Sequence, residues 1–309
     1  MSVRLSCVIL NYNDAETTEK LVKQIADYNV LHQIIVVDNA STDDSLERLK
    51  KLEADQPGRL HVLSADHNGG YGSGNNLGVR YAAGQGGATH VLIANPDVVF
   101  SEQSLEAMLS VFARHPEVGI VTARIHDARF PDLKNGWPLR SFTRELLSMG
   151  PVSRRLFKRS FDYPDSYFAG HNAVYVGAVH GSMLMVDTEK FLEAGGYDEG
   201  VFLYEEEQIL GRRLQNAGYR SVLLLNQYYD HEHSTSISKS FSDAMKRQQL
   251  REKSTLYYMK HYLHINPVQE QIAKMWFAGI RMEMRMAKFV RIKLLVNLDY
   301  LFRSSYMSV

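Results

Sequence analysis

The chain has 309 residues, of which 45% are hydrophobic and 23% are charged, and this composition excludes a disordered or fibrous protein. The length allows one large α/β domain with an appendage, or two ordinary domains. The 35 Lys and Arg residues balance 35 Asp and Glu residues, so we expect no nucleic-acid partner. The single cysteine, Cys7, excludes a disulfide framework and a cysteine-based zinc site, and it favours a reducing compartment.

The first hundred residues alternate short apolar runs with helix-period segments, a pattern typical of a doubly wound α/β unit. The predicted strands are residues 5–10, 34–37, 60–63 and 90–94. Asp14 is placed to cap a helix that runs to about Tyr28, and Ser41 and Thr42 are placed to cap another that runs to about Glu53.

The pattern changes after Ser101. A helix of about fourteen residues and a strand at 119–123 come first, and prolines and basic residues at 124–169 then predict long loops or short helices over a site. Further strands are predicted at 174–178, 182–186 and 220–225, with helices at 188–195 and 204–216 and beyond residue 240.

The sequence predicts no transmembrane segment, and the apolar N-terminal stretch is typical of a strand, not of a secretory signal.

The C-terminal region is basic: residues 240–309 hold 12 Lys and Arg against 5 Asp and Glu. Five of these cations share one helical face: Lys274, Arg281, Arg285, Lys288 and Arg291. The rest of this region is apolar, including Met275, Phe277 and Ile280, and could enter a membrane interface. Packing on the catalytic domain or on a second subunit is the alternative.

Polar residues follow the first two predicted strands. Asn11 ends the first strand and Asp38 ends the second. Ligands of open α/β sheets bind beyond the carboxyl ends of the strands, so Asp38 is placed to accept a hydrogen bond from the ring N–H of uracil or thymine. The alternative is that Asp38 and Ser41 only close a turn and cap the next helix.

Residues 67–76, His-Asn-Gly-Gly-Tyr-Gly-Ser-Gly-Asn-Asn, contain four glycines and three amide side chains. Glycines let backbone N–H groups approach a phosphate or a sugar, and a helix starting near Ser73 would add its positive end. The segment lacks the Gly-Lys-Ser/Thr of a P-loop, and it does not follow the first strand as a dinucleotide fingerprint does. A flexible surface turn is the alternative.

The fourth strand leads into Asn95-Pro96-Asp97. Mg²⁺ or Mn²⁺ is usually bound by one or two carboxylates together with phosphate oxygens of a substrate, so Asp97 would suffice with a second ligand from elsewhere. A Pro-Asp turn is the alternative. After the last predicted strand, His231 and His233 would point to opposite faces of an extended segment, so only one of them could reach a given metal. The alternative is that His233 is only a surface histidine.

Three acids, Glu205, Glu206 and Glu207, begin a predicted helix. Helical spacing places Glu206 and Glu207 near the direction of Leu210 on the inner face and turns Glu205 away. Two carboxylates that face one site raise the pKa of one of them, which suits a general base. The alternative is that the acids only stabilise the helix dipole.

Taken in order, these segments resemble family 2 glycosyltransferases, in particular the rhamnosyltransferase-like and capsular-polysaccharide branch. The resemblance covers about residues 3–236 and also rests on Gly181-Ser182-Met183-Leu184 and Gly196-Tyr197-Asp198-Glu199. It implies a GT-A fold, with a Rossmann-like mixed α/β sheet flanked by helices and a helical C-terminal extension. The implied catalytic domain is 1–238, with a nucleotide-sugar half at about 1–123 and an acceptor half at about 124–238. A basic, amphipathic helical region follows at 239–309.

The resemblance also implies a role for each candidate. Asp97 and His231 would hold Mg²⁺ or Mn²⁺, and Glu207 or Glu206 would be the catalytic base. The implied donor-binding residues are Asn11, Asp38, Asn68, Gly74, Asn75, Asn76, Asn95 and Gly181. Two motifs depart from the family pattern: the usual Asp-x-Asp is here Asn-Pro-Asp, and the usual Glu-Asp is Glu-Glu, so the choice of base stays open.

The implied function is inverting transfer of rhamnose, galactofuranose, glucose or galactose from a UDP- or dTDP-sugar to a glycan acceptor. We expect a lipid-linked acceptor in bacterial surface-polysaccharide synthesis. The expected location is the cytoplasm, with peripheral attachment to the inner face of the cell membrane through the C-terminal helices, and a homodimer is an open option. The alternatives are a non-catalytic nucleotide-sugar-binding protein and a nucleotidyltransferase on a similar fold.

Overall fold

The computed structural model describes residues 3–126, 134–231 and 244–305, with side chains described as far as residue 287. The chain divides into two compact units. The first, here the sheet unit, comprises Met1–Arg140 and Arg159–Ser242, and the second, here the helical unit, comprises Ser141–Lys158 and Asp243–Val309. The expected domain boundary at residue 238 lies outside the described residues and stays a prediction.

Eleven strands are found in the described part of the chain. They are β1 (Leu5–Asn11), β2 (Leu31–Asp38), β3 (Leu60–Ser64), β4 (His90–Ala94), β5 (Val98–Phe100), β6 (Val118–His126), β7 (Gly136–Trp137), β8 (Ala173–Val176), β9 (Ala178–Val179), β10 (Met183–Asp187) and β11 (Arg220–His231). The main sheet has the order β3-β2-β1-β4-β10-β6-β11-β5, with β8 also paired to β11, whereas β7 and β9 form a separate two-stranded sheet. The main sheet is mixed, because β10 runs antiparallel between β4 and β6.

The helices fall into both units. They are α1 (Ala15–Ile25), α2 (Ser45–Ala54), α3 (Tyr71–Gly84), α4 (Glu102–Arg114), α5 (Phe142–Met149), α6 (Pro151–Leu156), α7 (Asp165–Phe168), α8 (Thr188–Glu193), α9 (Glu206–Asn216), α10 (Ala244–His261) and α11 (Pro267–Ser305). In the sheet unit, α1, α2 and α4 pack on one face of the sheet, and α3, α8 and α9 pack on the other. The result is a three-layer α/β sandwich, and the doubly wound prediction is confirmed.

Burial on both faces explains the continuous apolar runs of the central strands, which are rich in Val and Ile. Strands β1, β2 and β4 are parallel, so their carboxyl ends lie at one edge. Because β10 is antiparallel to β4, its first residue Met183 pairs with Ala94 at that same edge. Strand β11 runs parallel to β6, and its last residue, His231, also lies there. The fold therefore gathers the predicted site segments at one edge of the sheet.

Several predicted boundaries differ from the structure. Helix α2 begins at Ser45, so the predicted cap at Ser41 and Thr42 is wrong. Strand β11 continues to His231, six residues beyond its predicted end. The segment after β6 contains the predicted short helices, but Gly136 and Trp137 also pair with β9, which the sequence did not indicate.

The helical unit has its own apolar core. It is formed by Leu146, Met149, Met259, Ala273, Phe277 and Ile280. The sequence predicts that Phe277 and Ile280 can enter a membrane interface. This prediction is wrong, because both side chains are buried in this core. Arg281 pairs with the buried carboxylate of Glu252. The side chains of Lys288 and Arg291 lie outside the described part. None of the helices in the described ranges combines the length and the hydropathy needed to cross a bilayer.

Candidate active site

Asn11 and Asp38 meet where β1 and β2 end. The Asn11 amide donates to Asp38 Oδ1 over 2.9 Å, and the Ser41 hydroxyl donates to the same oxygen over 2.6 Å. The Ser41 backbone N–H donates to Oδ2 over 3.0 Å. Asp38 is buried, so its carboxylate is held firmly by these three donors. Reading of a pyrimidine base by Asp38 stays a prediction, and its contact with Ser41 agrees with the predicted turn.

The glycine-rich segment is tied to the end of β2 through Asn39. The Asn39 amide donates to Asn68 Oδ1 over 3.0 Å and to the Gly70 carbonyl over 3.2 Å. Asn68 Oδ1 also accepts the Gly70 backbone N–H. Gly70 has a φ of +90°, and a Cβ there would lie 2.1 Å from the Phe202 carbonyl oxygen. Only glycine fits this position, because the two backbones touch.

Three of the predicted donor-binding residues lie inside α3. Gly74 faces Leu10, and a Cβ would come within 2.3 Å of that side chain. Asn75 donates to the Tyr71 carbonyl, and Asn76 donates to the carbonyl of Tyr197 and accepts its N–H. These contacts give the three residues clear packing roles. A contact between any of them and a donor stays a prediction.

Glu207 is connected to the glycine-rich segment through Gly181. The Gly181 N–H donates to Glu207 Oε1 over 3.3 Å, and the Gly181 carbonyl accepts the Tyr71 hydroxyl over 2.5 Å. The backbone N–H of Tyr71 donates to the Phe202 carbonyl over 3.1 Å. Tyr71 therefore holds both the segment before α9 and the glycine whose N–H contacts Glu207.

The two carboxyl groups at the start of α9 have raised pKa values. Burial is the main cause for both, and the charge of Glu207 adds to it for Glu206, raising the pKa of Glu206 to about 8. The Gly181 N–H and the positive charge of Arg140 counteract the rise in the pKa of Glu207. Glu207 is also the more exposed of the two residues. Backbone N–H groups of Tyr204 and Glu206 likewise counteract the rise in the pKa of Glu206. Because the charge of Glu207 raises the pKa of Glu206, the pair keeps its negative charge on Glu207 and its proton on Glu206.

Strained backbone is concentrated at this edge of the sheet. Among the described residues of the sheet unit, the non-glycine positions with positive φ are Asn13 (52°), Ala40 (57°), Tyr204 (73°) and Glu205 (71°). The first two follow β1 and β2, and the other two directly precede Glu206. Such conformations cost on the order of 1–3 kcal/mol each and are concentrated at functional sites. The left-handed pair also explains why α9 begins at Glu206 and not at the predicted Tyr204.

Asp97 and His231 meet between β4 and the end of β11. Asp97 Oδ1 and His231 Nε2 are 3.3 Å apart, and the side chains are only 11% and 8% exposed. A carboxylate oxygen and an imidazole nitrogen suit Mn²⁺, and the remaining positions can be filled by phosphate oxygens and water. The pair therefore fits a divalent cation that is held jointly with a substrate. Over the described ranges, no group of three or more His, Cys, Asp or Glu residues could hold a metal alone. His233 lies outside those ranges.

The segment before β10 joins the carboxylate pair to the Asp97 region. The Ser182 carbonyl accepts the backbone N–H of Asn95 over 2.8 Å, one residue from the Gly181 contact with Glu207. The ring of His180 lies 5.6 Å from that of His231. His180 Nδ1 accepts the Ser182 N–H over 3.1 Å, so a neutral His180 carries its proton on Nε2 and presents a donor there.

Sequence reasoning missed Asn39, Tyr71, Arg140 and His180. Asn39 and Tyr71 stand within the quoted motifs, so their position beside Asp38 and in the glycine-rich segment was the available signal. Arg140 and His180 carry no local pattern. They come to the site only through the pairing of β7 with β9 and of β10 with β4.

Two curated relatives are similar to this chain. The low-salt glycan biosynthesis hexosyltransferase Agl10 of Haloferax volcanii is 25% identical over 204 residues, which are 66% of this chain and 59% of the relative. The N-acetylglucosaminyl-diphospho-decaprenol L-rhamnosyltransferase of Mycobacterium tuberculosis is 27% identical over 214 residues, which are 61% of this chain and 62% of the relative. The chain thus spans about three fifths of the length of these relatives.

A solved structure supports the fold. The mannosyltransferase PcManGT from Pyrobaculum calidifontis, in complex with GDP-Man and Mn²⁺, superposes with a TM-score of 0.55 at 15% identity, covering 98% of this chain and 83% of that one. The predicted GT-A type fold is confirmed by this likeness and by the mixed sheet. The sequence model described as glycosyl transferase family 2 matches residues 6–179, which is more than half of the chain. The chain therefore belongs to glycosyl transferase family 2, as the resemblance of its motifs predicted.

Proposed function

We propose that this protein is an inverting, metal-dependent glycosyltransferase that moves a hexosyl group from a UDP- or dTDP-sugar to a glycan acceptor. Rhamnose, galactofuranose, glucose and galactose are the donor sugars we consider. One observation carries the proposal: the Gly181-Ser182 segment contacts both Glu207, one of two neighbouring carboxyl groups with raised pKa values, and the Asn95-Pro96-Asp97 segment. A proton acceptor and a candidate cation site are thus linked at one edge of the sheet.

Glu207 is the proposed base. Its carboxylate keeps the negative charge of the pair because Gly181 and Arg140 stabilise that charge, while Glu206 keeps the shared proton. In a single displacement, Glu207 takes the proton of the acceptor hydroxyl as the hydroxyl oxygen bonds to the anomeric carbon and the nucleoside diphosphate departs. No covalent sugar–enzyme intermediate is needed, so the anomeric configuration inverts.

Asp97 and His231 are the residues that would hold Mg²⁺ or Mn²⁺. When bound, the cation supplies charge neutralisation for the departing diphosphate. The bound Mn²⁺ of the Pyrobaculum calidifontis mannosyltransferase supports the use of a divalent cation. The proposed donor pocket is formed by Asn11, Asp38, Asn68, Asn95 and Gly181, with Gly74, Asn75 and Asn76 in the helix behind it.

The acceptor is proposed to be lipid-linked. The name of the Mycobacterium tuberculosis relative specifies a diphospho-decaprenol acceptor, which supports this choice. The single cysteine, Cys7, forms no disulfide and favours a reducing compartment, so we place the reaction in the cytoplasm. The lipid-linked acceptor is the reason for placing it at the inner face of the membrane. The catalytic domain is assigned to 1–238, with the donor half at about 1–123, and residues 239–309 are assigned to the helical region.

A donor screen tests the proposal. Each UDP- and dTDP-sugar is incubated with the full chain, with and without Mn²⁺, and the released nucleotide is identified. We expect one donor to give its nucleoside diphosphate only with metal, and Asp97→Asn to abolish the release. Asp55→Asn, at an exposed position after α2, is the control. Release of pyrophosphate would indicate a nucleotidyltransferase instead, and binding without turnover would indicate a binding protein.

A further inference from the structure

Helix α11 has two apolar faces. One face, with Ala273, Phe277 and Ile280, is buried against α5 and α10 in the core of the helical unit. The opposite face carries five exposed apolar side chains, between 42% and 68% accessible: Val268, Ile272, Met275, Met282 and Met286. At 100° per residue these five lie within an arc of about 80°. A surface helix needs only one apolar face for packing, so the second face requires another explanation.

Helix α6 adds to this second face. The Val152 N–H donates to the Glu283 carboxylate over 3.1 Å, and a Cβ at Gly150 would lie 3.3 Å from Ile280, so α6 packs beside α11. Glu283 is one helical turn from both Gly279 and Met286 and borders the exposed stripe. Val152, Leu156 and Phe157 are themselves exposed, Leu156 by 73%. The exposed sides of α6 and α11, here the α6–α11 face, are therefore neighbours in one unit.

Cations outnumber acids around this face. Residues 151–158 contain the exposed cations Arg154, Arg155 and Lys158 and no acid. Lys274 and Arg285 are exposed on α11. Of the nearby acids, Glu283 accepts the N–H of α6, and Glu270 is paired with two lysines. Exposed apolar side chains flanked by cations are suited to a bilayer interface with anionic headgroups.

A second copy of the chain fits this face less well. A two-fold interface places the same patch on both partners, so a patch with an excess of cations would face another patch with the same excess. Like charges at a desolvated contact oppose association. The cations of the α6–α11 face therefore complement an anionic lipid surface better than they complement a second copy of the chain.

We propose that the α6–α11 face binds the surface of a bilayer that contains anionic lipid. This proposal rests on the proposed function. It adds to that function the surface through which the enzyme would reach a lipid-linked acceptor. The inward face of α11, with Phe277, takes no part. Residues 151–158 lie far from the C-terminus in the sequence, and they add a second bilayer-binding segment to the one on α11.

The test is flotation of the full chain with vesicles in the absence of donor. Vesicles of equal parts phosphatidylglycerol and phosphatidylcholine are compared with vesicles of phosphatidylcholine alone. We expect binding to the anionic vesicles that weakens with added salt. The double variant Leu156→Asp/Phe157→Asp, and separately Arg155→Glu/Lys158→Glu, should each weaken binding by about tenfold or more. Leu192→Asp, an exposed apolar position on α8, is the matched control and should bind normally.

Three results would overturn the proposal. They are failure of the wild type to bind anionic vesicles, variants that bind as well as the wild type, and a dimer that Met282→Asp dissociates without any vesicle binding. We expect the variants to fold because all the changed side chains are exposed, and circular dichroism checks this. Nucleoside diphosphate release without vesicles separates the two proposals: vesicle binding without release would reject only the sugar transfer, and release without vesicle binding would reject only the α6–α11 face.

Discussion

The hydroxyl of Tyr71 donates a 2.5 Å hydrogen bond to the carbonyl oxygen of Gly181, and the N–H of that same glycine donates to Glu207. Tyr71 also follows Gly70, whose carbonyl accepts the amide of Asn39. A chain of hydrogen bonds thus links the end of β2 to the carboxylate of the proposed base. Within it, Tyr71 acts as a positioning residue.

Tyr71→Phe is expected to lower kcat by about tenfold with little change in the KM for the donor. The change leaves the Gly181 carbonyl without its donor, which costs about 1–3 kcal/mol when the group is buried. Because Gly181 would then hold Glu207 less firmly, the acid limb of the pH–rate profile should also move. Tyr167→Phe removes a comparable bond to the Tyr175 carbonyl away from Glu207 and serves as the control. Equal effects of the two variants would argue against the positioning role.

Glu207→Gln and Glu206→Gln distinguish the two candidate bases. Loss of a general base lowers kcat by about 10²–10⁴. We expect that loss for Glu207→Gln and less than about tenfold for Glu206→Gln, because Glu206 keeps its proton near neutral pH. Steady-state rates of the two isosteric variants, measured with the same donor, give the answer. The reverse order would make Glu206 the base.

The pH dependence of stability tests the burial of Glu206. Its pKa rises from 4.5 to about 8 on folding, so the folded state binds more protons than the unfolded state between these values. The contribution of Glu206 to the free energy of unfolding of the wild type is fully present below pH 4.5, and it is lost as the pH rises towards 8. Glu206→Gln should therefore gain stability over the wild type between pH 5 and pH 8, on the order of 1 kcal/mol or more.

Urea unfolding of the wild type and of Glu206→Gln at pH 5 and at pH 8 measures this difference in stability. Glu106→Gln, at an exposed position on α4, is the control and should show no such trend. A Glu206→Gln variant that tracks the wild type at both pH values would mean that Glu206 is ionised in the folded protein.

Asp97→Asn should weaken Mn²⁺ binding in the presence of a nucleoside diphosphate by about tenfold or more, since it removes the only negative charge of the Asp97–His231 pair. Electron paramagnetic resonance of free Mn²⁺ measures binding without turnover. Asp230→Asn is the matched control, because Asp230 precedes His231 but contacts exposed His126. If both variants bind Mn²⁺ like the wild type, Asp97 is not a ligand.

The sequence predicted the central sheet well and its edge less well. Strands such as β4 were located because apolar runs buried on both faces leave a local pattern. The final residues of β11 alternate exposed and buried positions beside a register shift between Leu224 and Tyr228, and only pairing with β5 and β6 makes them a strand. The alternation of an extended segment allowed only one of His231 and His233 to reach a metal, and the choice of His231 came from the resemblance.

The contacts inside the site were also hidden from the sequence. Asn39 lies about thirty residues before Asn68 and Gly70, and it meets them only because β2 and α3 are adjacent. The left-handed Tyr204 and Glu205 contradict ordinary residue preferences, so no propensity predicts them. The grouping of α5 and α6 with the C-terminal helices likewise depends on packing between segments about 130 residues apart.

The most direct test of the proposed mechanism is the anomeric configuration of the transferred sugar, determined by NMR on the product of the wild-type enzyme. A single displacement with Glu207 as base predicts the configuration opposite to that of the donor, and no such product from Glu207→Gln on the same timescale. Retention of the donor configuration would contradict the account.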